Sequence, residues 1–135
     1  SLADLAKPGT RLVIGDPSVP VGSYTRRVLA RLPAGERRAI LAGVRSQEPE
    51  VSSVIAKLLG GAADAGFVYV TDVTAAPPGR LRAIPVPERL QPEVAYAAAV
   101  VKGAPQPRLA HRYLEGLLSG RGAAALRRAG FLPPP

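Results

Sequence analysis

Cysteine, methionine and asparagine are absent from the 135 residues, and histidine occurs once, at position 111. Without cysteine there is no thiol nucleophile, no disulfide and no zinc site of the usual Cys/His kind. Neither a metal cation site nor a cofactor is therefore expected. Without methionine, Ser1 is not an initiator residue, and the natural chain is expected to extend upstream. No apolar run approaches the roughly 18 residues that a membrane-spanning helix requires, and no basic-then-apolar leader pattern opens the chain. Acidic residues are sparse, with 10 Asp+Glu against 18 Lys+Arg and a formal net charge of +8.

That charge, with an isoelectric point near 10.8, raises the question of nucleic acid. The arrangement argues against it. Arginines come as scattered pairs (Arg26-Arg27, Arg37-Arg38, Arg127-Arg128), and Phe67 and Phe131 are the only phenylalanines. Base-stacking aromatics and a helix-turn-helix pattern are both missing, so the pairs read as solvated helix faces and no nucleic-acid partner is expected. Catalysis is equally unsupported. His111 lies in an amphipathic C-terminal stretch with no serine or aspartate at a telling spacing, and neither a Lys-bearing phosphate loop nor a dinucleotide glycine fingerprint occurs. An enzyme is not expected.

What is present is a globular pattern, 47% hydrophobic and 21% charged, long enough for one domain or one lobe of a larger protein. The run Arg11-Leu12-Val13-Ile14-Gly15 predicts a buried strand. Tyr24, Val28, Leu29 and Leu32 fall at helical spacing after the Pro20–Ser23 turn, closed by Pro33 and Gly35. A shorter helix is expected around residues 36–41, then a brief strand near Val44. Pro49 suits the first turn of the next helix, whose stripe is Val51, Val54, Ile55, Leu58 and Leu59, ended by Gly60-Gly61. Residues 65–70 predict a second buried strand, with a cap or turn at Thr71-Asp72. Further strands are expected at 81–86, near an edge because of Pro85 and Pro87, and at 95–101, buried. Helices close the chain, with an apolar stripe of Leu109, Tyr113, Leu114, Leu117 and Leu118, a break at Ser119-Gly120, and a final helix over 123–129. Strands alternating with helices define an α/β fold with a mixed, mostly parallel sheet.

Two helix starts, at Pro20–Ser23 and Pro49–Val51, would present unpaired N–H groups and a positive dipole end, which together suit an anion. Every helix has such an end, so an ordinary helix start remains the alternative. Tyr69, at the end of a predicted strand, stands where open α/β sheets bind ligands; a packing tyrosine is the alternative there.

The ordered motifs Gly15-Asp16-Pro17, Val19-Pro20-Val21-Gly22-Ser23-Tyr24, Glu50-Val51 and Ala65–Asp72 resemble the extracytoplasmic molybdate-binding proteins of ABC transporters. Ala95–Val101 looks like that family's strand returning between lobes, and His111–Leu118 with Ala123–Leu132 look like its C-terminal helices. The resemblance implies one lobe of a type II periplasmic-binding-protein fold. Residues 1–15 would be a crossover strand or hinge, residues 16–95 the second lobe, and residues 96–135 the return strand and helices that pack on a first lobe upstream. It implies that the backbone N–H of Val21, the backbone N–H of Val51 and the hydroxyl of Tyr69 hold molybdate or tungstate, without a counter-charge. Ser23, Ser52 and Ser53 receive no role. The implied partners are an ABC transporter permease and the first lobe, in a periplasmic or extracytoplasmic setting at the membrane through the transporter or a lipid anchor. A homodimer or segment exchange is expected of the chain alone, since its C-terminal stripe would lack cover. The competing reading is a ligand-sensing domain of a transcription regulator with the same lobe fold.

Overall fold

The computed structural model describes residues 1–133. It divides into two compact units, Ser1–Pro92 and Glu93–Pro135. In the first, a 3-10 turn (Leu2–Ala6) precedes β1 (Leu12–Gly15), α1 (Pro20–Ala30), α2 (Ala34–Ala42), β2 (Val44–Glu48), α3 (Val51–Leu59), β3 (Ala65–Gly66) and α4 (Val70–Ala75). A last 3-10 turn spans Glu88–Leu90. The second unit contains α5 (Pro107–Leu118) and α6 (Gly120–Arg128).

The sheet has the order β2-β1-β3, and both pairings are parallel, so no antiparallel strand occurs among the described residues. β1 is the centre. Because side chains alternate across a strand, Leu12 and Ile14 face one way and Val13 the other, and all three are buried. Leu12 and Ile14 pack with Leu29 of α1 and Ile40 of α2, joined by Leu5 and Ala6 from the first 3-10 turn. Val13 packs with Val54 of α3 and Ala63. A strand covered on both faces reads as an unbroken apolar run, which is why four consecutive residues announce it. Each fully buried aliphatic side chain here contributes about 1.5–3 kcal/mol.

The helices follow from the same core. In α1, Val21, Thr25, Val28 and Leu29 are buried at i, i+4, i+7 and i+8, and the buried Thr25 hydroxyl donates to the Val21 carbonyl at 2.7 Å. α3 buries Val54 and stops at Gly60, with Gly61 taking a left-handed φ of +71°. No helix among the described residues is long and apolar enough to cross a membrane.

Several expectations are corrected. Pro49 is outside α3, because Glu50 is extended and serves as the N-cap, so the helix starts at Val51. Gly35 does not close α1; it lies in the first turn of α2. The strand expected over 65–70 pairs only at Ala65 and Gly66, and Thr71-Asp72 is helical, because the backbone turns into α4 at Tyr69. Residues 81–86 form no strand; Pro85 and Pro87 cannot donate to a ladder. Residues 95–101 are neither a strand nor buried: Tyr96 is 67% and Val101 72% exposed. No strand among the described residues pairs with that segment, and apolar continuity alone cannot bury it.

Two ion pairs tie the sheet together. Arg11 donates its backbone N–H (2.8 Å) and guanidinium (2.6 Å) to Asp64, joining the starts of β1 and β3. Glu48, buried at the end of β2, pairs with Lys57 of α3 at 2.7 Å, and Lys57 also donates to the Ser46 hydroxyl. The Arg11 hydrogen bonds hold the Asp64 carboxyl down to about 2. Glu48 is held below the ordinary carboxylate value by Lys57 first and then Ser46. A carboxylate with a depressed folded-state pKa stabilises the fold above its unfolded-state pKa, and that contribution fades as pH falls through the folded one. Urea-denaturation midpoints are therefore expected to fall on acidification from about pH 4.5 towards pH 2. The fall should be shallower in Glu48→Gln and Asp64→Asn; an unchanged acid limb in both variants would contradict this account.

Candidate functional site

The C-terminal ends of β1, β2 and β3 lie along one edge of the sheet, since all three strands run parallel. From that edge β1 leads through Asp16–Val19 to α1, β2 through Pro49-Glu50 to α3, and β3 through residues 67–69 to α4. The three residues singled out in the sequence, Val21, Val51 and Tyr69, thus stand in three neighbouring strand-to-helix junctions. Val21 is the second residue of α1, Val51 the first of α3, and Tyr69 the N-cap of α4.

Local chemistry leaves both longer helices without a side-chain cap. The N-cap of α1 is Val19, which has no side-chain oxygen, and the side chain of Glu50 does not cap α3. Ser, Thr, Asp and Asn are the usual occupants, because their oxygens take first-turn N–H groups. In α1 the first intrahelical bond at this end runs from Ser23 N–H to the Val19 carbonyl, and Pro20 has no N–H to satisfy. The N–H groups of Val21 and Gly22 remain as the first-turn donors of α1. The two helix starts are chemically alike in this respect and differ from α4, where the Tyr69 N–H donates to the Asp72 carboxylate at 2.8 Å.

Glycine sets the depth at which α1 meets the sheet. A Cβ on Gly22 would lie 1.8 Å from the Asp16 carbonyl oxygen and 2.4 Å from that of Gly15. A Cβ on Gly15 would lie 2.5 Å from Val21 Cγ1. Only with glycine at both places can the first turn of α1 rest directly on the end of β1.

Three of the four acidic groups at this edge have internal partners, and the fourth, Glu50, is exposed at the start of α3. Asp16 accepts from the Ser18 backbone N–H (2.9 Å) and hydroxyl (2.6 Å), which hold its carboxyl below the usual range. Glu48 is paired with Lys57, and Asp72 accepts a hydrogen bond from the N–H it caps while keeping its charge. An incoming anion would therefore not meet these carboxylates unscreened. The described residues contain no cluster of acidic or histidine side chains able to hold a metal ion, and His111 is exposed on α5.

Two features escaped the sequence reading. Asp72 as the partner of the Tyr69 N–H was readable in principle, since an N-cap and an acid three residues later is a known helix-start spacing. The contact of Tyr24 with Tyr69, rings edge-to-face with centroids 6.4 Å apart, joins residues 45 positions apart in the chain and left no local signal.

The chain has relatives among known proteins. Residues 1–132 match the family model described as bacterial extracellular solute-binding protein. Over 134 residues the chain is 35% identical to the molybdate-binding proteins ModA of Mycobacterium bovis and Mycobacterium tuberculosis. The match covers 99% of this chain and 49% of each of those proteins, so the chain spans about half the length of these curated relatives.

Overpacking the α1 junction provides a test. Gly22→Ala is expected to lower stability by about 1–3 kcal/mol in urea denaturation, as extra methyl groups in closed sites do. Gly35→Ala, with nothing within 4 Å of its Cβ, is the control and should be neutral or slightly stabilising. Equal effects of the two substitutions would remove the close-approach argument.

Proposed function

Because the chain belongs to the bacterial extracellular solute-binding protein family, we propose that it is the oxyanion-holding second lobe of a receptor that captures molybdate or tungstate and delivers it to an ABC transporter permease. The single observation that carries this reading is the gathering of two uncapped helix starts and Tyr69 at one edge of a parallel sheet. The name of the mycobacterial relatives supports the choice of anion. The setting is extracytoplasmic, at the membrane through the transporter or a lipid anchor, and the protein binds rather than catalyses.

Recognition in this reading uses neutral donors. The backbone N–H groups of Val21 and Val51 and the hydroxyl of Tyr69 donate to oxygens of a tetrahedral dianion, and the two helix dipoles add positive potential. Each charge-assisted hydrogen bond of this kind contributes about 1.5–3 kcal/mol where water is excluded. A carboxylate at this edge would repel the ligand, which gives the internal pairing of Asp16, Glu48 and Asp72 a purpose. Without a full counter-charge, selection rests on cavity size and donor number, and sulfate is rejected as too small. Tungstate, nearly the same size as molybdate, is not.

Donors on this lobe alone cover part of a tetrahedral anion, and a first lobe supplies the rest. Residues 1–15 lead into the second lobe as a hinge, residues 16–95 carry the half-site, and residues 96–135 return to the first lobe. Neither α5 nor α6 has a buried residue, and Leu109, Tyr113 and Leu118 of α5 are more than half exposed. In this reading the first lobe covers that face, and the 135-residue chain alone pairs through it instead, as a homodimer or by segment exchange.

Isothermal titration of the full-length protein with sodium molybdate, against sulfate and phosphate, tests the assignment. Molybdate is expected to bind selectively, and Tyr69→Phe to weaken it by about 1–3 kcal/mol. The 135-residue chain alone should bind at about millimolar or weaker. Equal affinity for sulfate, or full affinity in Tyr69→Phe, would overturn the reading. A helix-turn-helix segment encoded upstream would instead assign the fold to a transcriptional sensor.

A further inference from the structure

The Tyr24 side chain, in the Val19–Tyr24 motif, has no part in the proposed oxyanion contacts. It projects from α1 three residues after Val21, half-buried, and its ring meets that of Tyr69 edge-to-face at 76° with centroids 6.4 Å apart. The Arg27 guanidinium lies 5.6 Å from the centre of the Tyr24 ring, a cation–π distance. Resting on the assignment of Tyr69 as an anion donor, we propose that Tyr24 is a positioning residue for the oxyanion site: its ring, braced by Arg27 on α1, sets the direction of the Tyr69 side chain.

The need for such a brace is visible in the backbone around Tyr69. β3 pairs with β1 over two residues only, Ala65 and Gly66, three positions before Tyr69. α4 is six residues long and has no buried residue. The Asp72 carboxylate fixes the backbone N–H of Tyr69 but leaves its two side-chain torsions to other contacts. α1, by contrast, is anchored in the core by Val21, Val28 and Leu29. Aromatic pairs of this geometry prefer a defined approach of edge to face, so a ring on the anchored helix restricts the ring it meets. Since α1 also carries the Val21 N–H, the contact fixes one donor relative to another.

The test is a double-mutant cycle in the full-length protein, read by titration with sodium molybdate. Tyr24→Leu is expected to weaken binding about 3- to 10-fold through lost preorganisation, while Tyr24→Phe, which keeps the ring, stays within about twofold of wild type. In a Tyr69→Phe background, Tyr24→Leu should cost little more, because its effect passes through the Tyr69 hydroxyl. Nuclear Overhauser contacts between the two rings in the unmutated, tyrosine-labelled protein give a readout that needs no folded variant. If Tyr69→Phe weakens binding but Tyr24→Leu costs the same in both backgrounds, or if the rings show no contact, the positioning role fails while the site stands. If Tyr69→Phe has no effect, the site itself fails and the positioning role with it.

Discussion

Everything at the candidate site depends on how closely the first turn of α1 approaches the end of β1. Backbone meets backbone there: the place a Gly22 Cβ would occupy lies 1.8 Å from the Asp16 carbonyl oxygen. That closeness lets Val21, a buried residue of α1, stand with its N–H in the strand-to-helix junction rather than a side chain's width above it. It also sets where Tyr24 and Arg27 lie, because both follow on the same helix. The other two junctions are registered to this one through β1, whose Leu12 and Val13 pair with β2 on one side and β3 on the other. A core strand covered on both faces cannot slip without moving Leu12, Val13 and Ile14 out of their packing, so the edge geometry is inherited from the core.

Charge at this edge is managed rather than simply positive. The chain carries a net charge of +8, yet the junctions themselves contain Asp16, Glu48, Glu50 and Asp72. Three of these are satisfied within the fold, by the Ser18 turn, by Lys57 and by the Tyr69 N–H. The surplus arginines lie elsewhere or are engaged: Arg11 with Asp64, Arg26 with Gln47, Arg27 over Tyr24. The net positive charge acts on anions at long range, while the Asp16 and Asp72 carboxylates are held in hydrogen bonds and Glu48 in an ion pair.

Legibility in the sequence followed locality. β1 was readable because burial on both faces forces an apolar run. α3 was readable because its stripe and its closing glycines are local signals. The two helix starts were readable for the same reason, and nothing local separates them from ordinary helix starts. What failed was whatever depends on a distant neighbour. Residues 65–70 have strand composition, but pairing with β1 ends at Gly66 and the chain turns into α4 at the cap formed by Asp72. Residues 95–101 have the composition of a buried strand and are exposed, because composition records the need for cover and not its presence. Tyr24 was quoted within a motif without a role, since the ring it meets lies 45 positions away in the chain.

The same distinction bears on the second unit. Its α5 and α6 pack on one another with Leu114 and Leu117 half-buried, yet neither helix has a buried residue and Leu109, Tyr113 and Leu118 of α5 stay more than half exposed. An apolar stripe of this regularity is maintained only where something covers it. Membership of a solute-binding family in which the curated relatives are about twice as long makes a further lobe the economical covering. On that view the two units face the same deficit. In the proposed reading the first unit would present donors for part of an anion and the second apolar surface for part of a core, and one additional lobe would complete both.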